Sequence, residues 1–103
     1  MLESKFQASF IRELNELFPG CVVLKNDANY IQGFPDLLML YRDRWAAFEC
    51  KQSSRASRRP NQDYYVDMLD KMSFARFVSP ENKEEVLYDL QQSLQTPRST
   101  RSV

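Results

Sequence analysis

The chain has 103 residues, in which 14 lysines and arginines balance 14 aspartates and glutamates, and it contains no histidine. This length predicts one domain, and zero net charge means that any attraction for nucleic acid has to come from a local basic surface. The absence of histidine excludes Ser-His-Asp and Cys-His catalysis, histidine-ligated zinc and a histidine general base.

The two cysteines and the apolar content exclude further classes. Cys21 and Cys50 are too few for a structural zinc site or a disulfide framework, which fits a reducing cytoplasm. No apolar run is long enough to span a membrane, and the first residues do not read as a signal peptide. We expect a cytoplasmic protein with no membrane partner and no organic cofactor. A site of hard oxygen ligands, which magnesium prefers, survives this elimination.

Periodic apolar residues predict an α/β domain over residues 1–95 and a flexible tail over 96–103. Helical spacing marks the first segment, and short apolar runs mark the strands. The predicted order is α-β-β-β-α-β-α: a helix over residues 3–18, a short buried strand over 21–24, a hairpin over 36–51, a helix from Pro60 to about Met72, a strand over 74–78, and a last helix with Ser79 as N-cap and Pro80 at its first position.

Three apolar stripes identify the buried faces of these helices. Each stripe has apolar residues three or four positions apart, which places them on one side of a helix. The stripes are Phe6, Phe10, Leu14 and Leu17 in the first helix, Tyr65, Met68, Leu69 and Met72 in the second, and Val86, Leu87, Leu90 and Leu94 in the third.

The predicted hairpin has an acid at the open end of each strand. If Arg42-Asp43 is a two-residue turn, the antiparallel register places Asp36 directly opposite Glu49 and on the same face. Lys51 shares that face because alternate residues of a strand point the same way. Two carboxylates in this position repel each other, and a bound cation would reverse that interaction. The pattern therefore predicts a divalent-metal site.

These residues carry a resemblance to a known family. Pro35-Asp36 and Glu49-Cys50-Lys51 resemble the signature of the PD-(D/E)XK nuclease superfamily. The run over residues 33–38 is similar to the VRR-NUC and Holliday-junction-resolvase branches. The resemblance covers roughly residues 3–78 and implies a restriction-endonuclease-like core, with a central mixed sheet flanked by helices.

The resemblance implies a role for each signature residue. Asp36, Glu49 and the backbone carbonyl of Cys50 would hold Mg²⁺, for which Mn²⁺ would be a substitute. Lys51 would orient or deprotonate the attacking water, or neutralise charge that develops on the phosphate.

Two further residues match positions that this superfamily often uses. Glu3 lies in line with the apolar stripe of the first helix, where many members have a glutamate that completes the metal shell, whereas Glu13 and Glu16 lie off that stripe. Gln62 lies along the inner face of the second predicted helix, where related families often have a glutamine near the lysine. The alternative at both positions is a polar residue near the start of a helix that has no catalytic role.

A local basic surface is the predicted contact for the DNA backbone. The loop between the hairpin and the next helix is basic without an intervening acid, so that it can bind phosphates without reading sequence. The candidate DNA-binding residues are Arg55, Arg58 and Arg59 in this loop and, with a weaker signal, Lys25 and Asn29 ahead of the motif.

The function implied by the resemblance is metal-dependent endonucleolytic hydrolysis of DNA, with water as the nucleophile. A domain of this size offers little surface for reading sequence, so we expect structure-selective cleavage of a Holliday junction or other branched DNA. Two symmetric nicks require a C₂ homodimer. The alternatives are a monomeric nicking or flap nuclease within a larger DNA-processing machine, and a non-catalytic DNA-binding module on the same fold. The small size and the resemblance also suggest a phage-encoded protein that works in the bacterial host cytoplasm.

Overall fold

A computed structural model describes residues 2–95, over which the chain forms three helices and one four-stranded mixed sheet. The predicted α/β class is confirmed, while the predicted tail over residues 96–103 lies outside the described residues. Within residues 2–95, none of the helices combines the length and apolar character needed to cross a membrane. The elements are α1 (Glu3–Leu17), β1 (Val22–Lys25), β2 (Leu37–Tyr41), β3 (Arg44–Cys50), α2 (Gln62–Met72), β4 (Ala75–Val78) and α3 (Lys83–Gln95).

The sheet has the strand order β1-β2-β3-β4. The first three strands are antiparallel neighbours, whereas β3 and β4 are parallel, which requires a crossover that α2 supplies. The predicted hairpin register is confirmed, because Tyr41 pairs with Arg44 and the ladder continues to the pair of Leu37 and Phe48. Asp36 and Glu49 occupy the next positions of the two strands, at the open end of the hairpin.

The main core lies between one face of the sheet and the two helices α1 and α3. The predicted stripe of α3 is buried, as are Phe6, Phe10 and Leu14 of α1. Phe48 is fully buried at the centre, and its ring meets that of Phe10 edge to face, with centroids 5.0 Å apart. A smaller apolar cluster joins α2 to the other face of the sheet.

The prediction that β1 is a buried strand is wrong. Val22 and Leu24 are 49% and 45% exposed, whereas Val23, which lies between them, packs against the main core. The reason is that β1 forms an edge of the sheet, whereas α2 lies against β3 and β4. A short apolar run does not reveal which strand is at an edge.

The predicted start and buried stripe of α2 are also corrected. Proline at position 60 lies in a turn, closed by the Gln62 N–H donating to the Arg59 carbonyl at 3.2 Å, and the helix begins at Gln62. The buried positions are Gln62, Val66 and Leu69, whereas Met72 is 67% exposed. The stripe follows the spacing of four and three from Gln62, so it is rotated from the predicted one.

The last helix begins at Lys83 instead of Pro80. Ser79 does not cap it: its N–H donates to Asn82 Oδ1 at 2.8 Å, within a turn that precedes the helix. A proline that suits the first position of a helix also suits a turn, which explains the displaced start.

Candidate active site

The open end of the β2–β3 hairpin brings two carboxyl groups together. Glu49 is the penultimate residue of β3 and is 7% exposed, and Asp36 directly precedes β2. The Cys50 N–H donates to Asp36 Oδ1 at 3.1 Å, which ties the two strand ends to each other. The Cys50 side chain points the opposite way and is fully buried in the main core, as its position in the strand predicts.

Two polar residues around Asp36 fix its position. Gln7, on α1, donates from Nε2 to Asp36 Oδ2 at 3.2 Å. Asn26 donates from its side chain to the Pro35 carbonyl at 2.7 Å, and its N–H donates to the Asp36 carbonyl at 2.9 Å. Sequence reasoning missed Gln7; the available signal is its spacing of four from Glu3, which puts both on one side of α1.

Burial raises the pKa of both carboxyl groups, and the charge of Asp36 adds to this effect at Glu49. Burial is the main cause that raises the pKa of Asp36 from 3.8 to about 6, against the lowering effect of the hydrogen bonds from Cys50 and Gln7. Burial, and then the charge of Asp36, raise the pKa of Glu49 from 4.5 to about 8, while Lys51 acts in the opposite direction. Carboxyl groups whose pKa values are raised in one cleft mark a candidate functional site, and a bound cation would favour their ionised forms.

Lys51 is held as a buried ammonium next to these acids. It is 8% exposed, and Nζ donates to Gln62 Oε1 at 2.8 Å and to the Ser57 carbonyl at 3.1 Å. The Arg59 N–H donates to the same Gln62 oxygen at 2.8 Å. Gln62 therefore connects the ammonium to the start of α2 and to the preceding loop, a link that gives its burial a physical reason.

One cleft of about 670 Å³ collects most of the predicted site. It forms where the hairpin end, the segment after β1 and the start of α2 meet. Of the predicted residues, the cleft is lined by Glu3, Asn29, Asp36, Glu49, Lys51, Arg59 and Gln62.

The other predicted cationic residues do not line this cleft. Arg58 lines a smaller neighbouring cavity, where it pairs with Asp63 and its guanidinium lies 3.8 Å from the centre of the Phe77 ring. Arg55 and Lys25 are exposed on the surface. Arg59 is therefore the arginine of the basic loop that faces the candidate site.

Glu3 differs in position from Glu13 and Glu16, the other glutamates of α1. It is exposed and lines the cleft, and its charge contributes to the raised pKa of both Asp36 and Glu49, behind burial in each case. Glu13 instead forms an ion pair with Lys83, with 3.0 Å between Oε2 and Nζ. Glu13 and Glu16 both line a separate cavity between α1 and α3.

The donor set of the cleft suits Mg²⁺. Among residues 2–95, no three His, Cys, Asp or Glu side chains stand close enough together to form a metal cage. The cleft does offer a buried carboxyl, Glu49, and a half-buried one, Asp36, and a bound cation would offset their negative charges. Magnesium commonly binds through one or two carboxylates together with substrate phosphates and keeps several waters, so a pair of carboxyls is compatible with that ion without a closed cage. The Cys50 carbonyl remains a predicted ligand.

Comparisons of the chain with protein-family profiles, with curated proteins and with solved structures give no match. Two observations bear on the function: the geometry and charge of this cleft, and the resemblance of the short motif around Asp36 and Glu49 to the PD-(D/E)XK signature.

Proposed function

We propose that this chain is a divalent-metal-dependent endonuclease of the PD-(D/E)XK type, which hydrolyses phosphodiester bonds in DNA. The observation that carries the proposal is the convergence in one cleft of two carboxyls, a buried ammonium and the amide that holds it: Asp36, Glu49, Lys51 and Gln62. The order of helices and strands, with α2 crossing between parallel β3 and β4, supports a restriction-endonuclease-like core.

Each residue of the cleft has a separate role in the proposed hydrolysis. When bound, Mg²⁺ would supply positive charge that polarises the phosphoryl group and lowers the pKa of water. Asp36 and Glu49 would hold the ion, with Glu3 at the cleft edge. The Lys51 ammonium would orient the attacking water and offset negative charge that grows on the phosphate. Gln62 keeps that ammonium in position, and Arg59 would bind the DNA backbone.

The proposed substrate is branched DNA, and the proposed assembly is a C₂ homodimer, since paired nicks need two sites. Light scattering during gel filtration tests the assembly. A particle of twice the 12.2 kDa mass of one chain supports the homodimer. A particle of the single-chain mass favours the nicking or flap nuclease.

Cleavage of labelled DNA tests the chemistry. Wild type and Asp36→Asn are compared on four-way junction, flap, nicked and linear duplex DNA, with Mg²⁺, Mn²⁺ or EDTA. We expect cutting that needs the metal and falls by about 10²–10⁴-fold in the variant, the range for losing a group that acts in the transition state. Asp67→Asn is the matched control, because Asp67 is 70% exposed on α2 and pairs with Lys71.

The outcomes separate the proposal from its alternative. Cutting that disappears in Asp36→Asn and persists in Asp67→Asn supports the nuclease, and the preferred substrate then identifies its branch. If wild type binds these DNAs but cuts none of them with either metal, the proposal fails, and the non-catalytic DNA-binding module takes its place.

A further inference from the structure

Apart from the acids Glu3, Asp36 and Glu49, the cleft is lined by two chain segments that differ in charge. From residues 51–62, the lining includes the cations Lys51 and Arg59. From residues 26–34, the lining is uncharged and rich in amides, with the members Asn26, Ala28, Asn29, Gln32, Gly33 and Phe34. A nucleic-acid strand has the same asymmetry, because its phosphates are charged and its bases are neutral and bear hydrogen-bonding edges.

Aromatic rings extend the uncharged side. Phe34 lines the cleft, and its ring meets that of Tyr65 edge to face, with centroids 5.5 Å apart. Tyr65 in turn meets Tyr64 at 5.2 Å, and Tyr64 is 63% exposed. Tyr30, in the same segment as the amides, is 84% exposed. Of these four rings, that of Phe34 lines the cleft itself and those of Tyr65 and Tyr64 lead away from it through ring contacts; we call Tyr30, Phe34, Tyr64 and Tyr65 the aromatic rim.

We infer that the cleft takes a DNA strand whose bases are unpaired beside the phosphate to be cut, with its backbone along Lys51 and Arg59 and its bases against the aromatic rim. This inference rests on the proposed function and names its substrate class. Bases inside an intact duplex have their faces covered by their neighbours, so an aromatic ring stacks most readily on bases that are unpaired and unstacked. The edge-to-face contacts of the Tyr65 ring with Phe34 and Tyr64 restrict these rings before binding, which lowers the entropy lost on stacking.

Binding measurements without cleavage test the inference. Fluorescence anisotropy, with Ca²⁺ replacing Mg²⁺, gives Kd for a labelled single strand and for the same strand in a blunt duplex. We expect Tyr64→Ala to weaken binding of the single strand by about 5- to 100-fold, the range for loss of one stacked base, and to leave duplex binding nearly unchanged. Tyr64→Phe keeps the ring and is expected to restore the affinity.

Tyr88 provides the matched control. It is 62% exposed, as Tyr64 is, but it lies on α3 and lines the cavity between α1 and α3. Tyr88→Ala is expected to bind both DNAs as wild type does. Single strands that lack one base, with the abasic position moved along the strand, provide a second test. At one of these positions, the lesion is expected to weaken binding to wild type relative to the intact strand. The same lesion is expected to leave binding to Tyr64→Ala unchanged.

The results distinguish a failure of this inference from a failure of the nuclease proposal. If Tyr64→Ala binds the single strand as wild type does, or loses equal affinity for the duplex, the inference is overturned even where metal-dependent cutting persists. If no DNA is cut with Mg²⁺ or Mn²⁺ but Tyr64 is still required for single strands alone, the nuclease proposal fails and the strand-binding cleft stands.

Discussion

The Asp36 and Glu49 carboxyls make the stability of the metal-free protein depend on pH. In the folded protein their pKa values are about 6 and about 8, above the 3.8 and 4.5 at which the two groups otherwise titrate. Between these limits the folded state binds more protons than the unfolded chain, so the free energy of unfolding falls as pH rises. The loss begins near pH 4 and is complete only above pH 8, with Glu49 responsible for the upper part of the window.

Thermal unfolding in EDTA at pH 5.5 and pH 8.5 measures this effect. We expect a lower Tm at pH 8.5 for wild type and a smaller difference for Glu49→Gln, whose side chain does not ionise. Mg²⁺ or Mn²⁺ is expected to raise Tm more at pH 8.5 than at pH 5.5, because a cation then replaces the missing protons. A wild-type Tm difference equal to that of Glu49→Gln would contradict the prediction.

Gln62 is predicted to act on catalysis through Lys51. Its Oε1 accepts hydrogen bonds from the Lys51 ammonium and the Arg59 N–H, so Gln62→Ala leaves the ammonium its bond to the Ser57 carbonyl but loosens its position. We expect kcat on the preferred DNA to fall by about 10–100-fold, as for other residues that orient a reacting group, with little change in KM. Gln62→Glu keeps an acceptor oxygen and is expected to recover part of kcat. A change confined to KM would refute the positioning role.

At the scale of elements, the loop before β2 depends on Gly33. Its φ is +85°, and a Cβ added there would lie 2.7 Å from the Pro60 carbonyl oxygen and 2.8 Å from Asn61 atoms. The segment after β1 and the turn before α2 therefore touch through this glycine, which sets their separation at one end of the cleft. A side chain at this position requires the backbone on one side to move.

Gly33→Ala is accordingly predicted to reduce both stability and activity. Backbone strain alone costs about 1–2 kcal/mol for a residue with a Cβ in this conformation, and the clash adds to it. Gly20→Ala is the matched control, since Gly20 has φ +88° but nothing within 4 Å of an added Cβ. Urea unfolding of both variants checks the prediction, which requires a larger loss of stability for Gly33→Ala than for Gly20→Ala.

The sequence predicts the helices and strands of this fold better than it predicts how they pack against each other. The hairpin register follows from apolar residues on both strands, although Arg42 in its turn has the unusual φ of 58°. The register then places Asp36 beside Glu49 and Lys51. The exposure of β1 depends on which strand lies at the sheet edge, and the hydrogen bond from Gln7 depends on how α1 crosses the sheet. Both are tertiary properties that no local pattern contains.

At the scale of the whole molecule, the packing of the main core also holds the candidate site in place. Phe48 directly precedes Glu49, is fully buried and contacts the Phe10 and Phe74 rings, with centroids 5.0 and 6.2 Å away. The core that holds α1 against the sheet therefore also holds the strand that carries the carboxylate.

Phe48→Ala is predicted to destabilise the protein by about 3–5 kcal/mol, the usual range for removing a buried phenylalanine. This is a large share of the roughly 5–15 kcal/mol that stabilises a typical domain, so we expect activity to fall because much of the protein unfolds. Urea unfolding measures the loss, and Tyr88→Ala, at an exposed position, is expected to change stability by less than about 0.5 kcal/mol. A Phe48→Ala protein as stable as that control would disprove the prediction.

The short turn of the β2–β3 hairpin also bears on the order in which the protein folds. Asp36 and Glu49 are joined through this local hairpin, whereas the parallel pairing of β3 with β4 requires the segment that includes α2 to close a longer loop. Hairpins form in about 1–10 μs, while pairings between distant segments are slower. We therefore expect the two carboxyls to meet before β4 joins the sheet and accepts the hydrogen bond from the Lys51 N–H to the Val78 carbonyl, so that a divalent cation present during folding would bind to a half-assembled site.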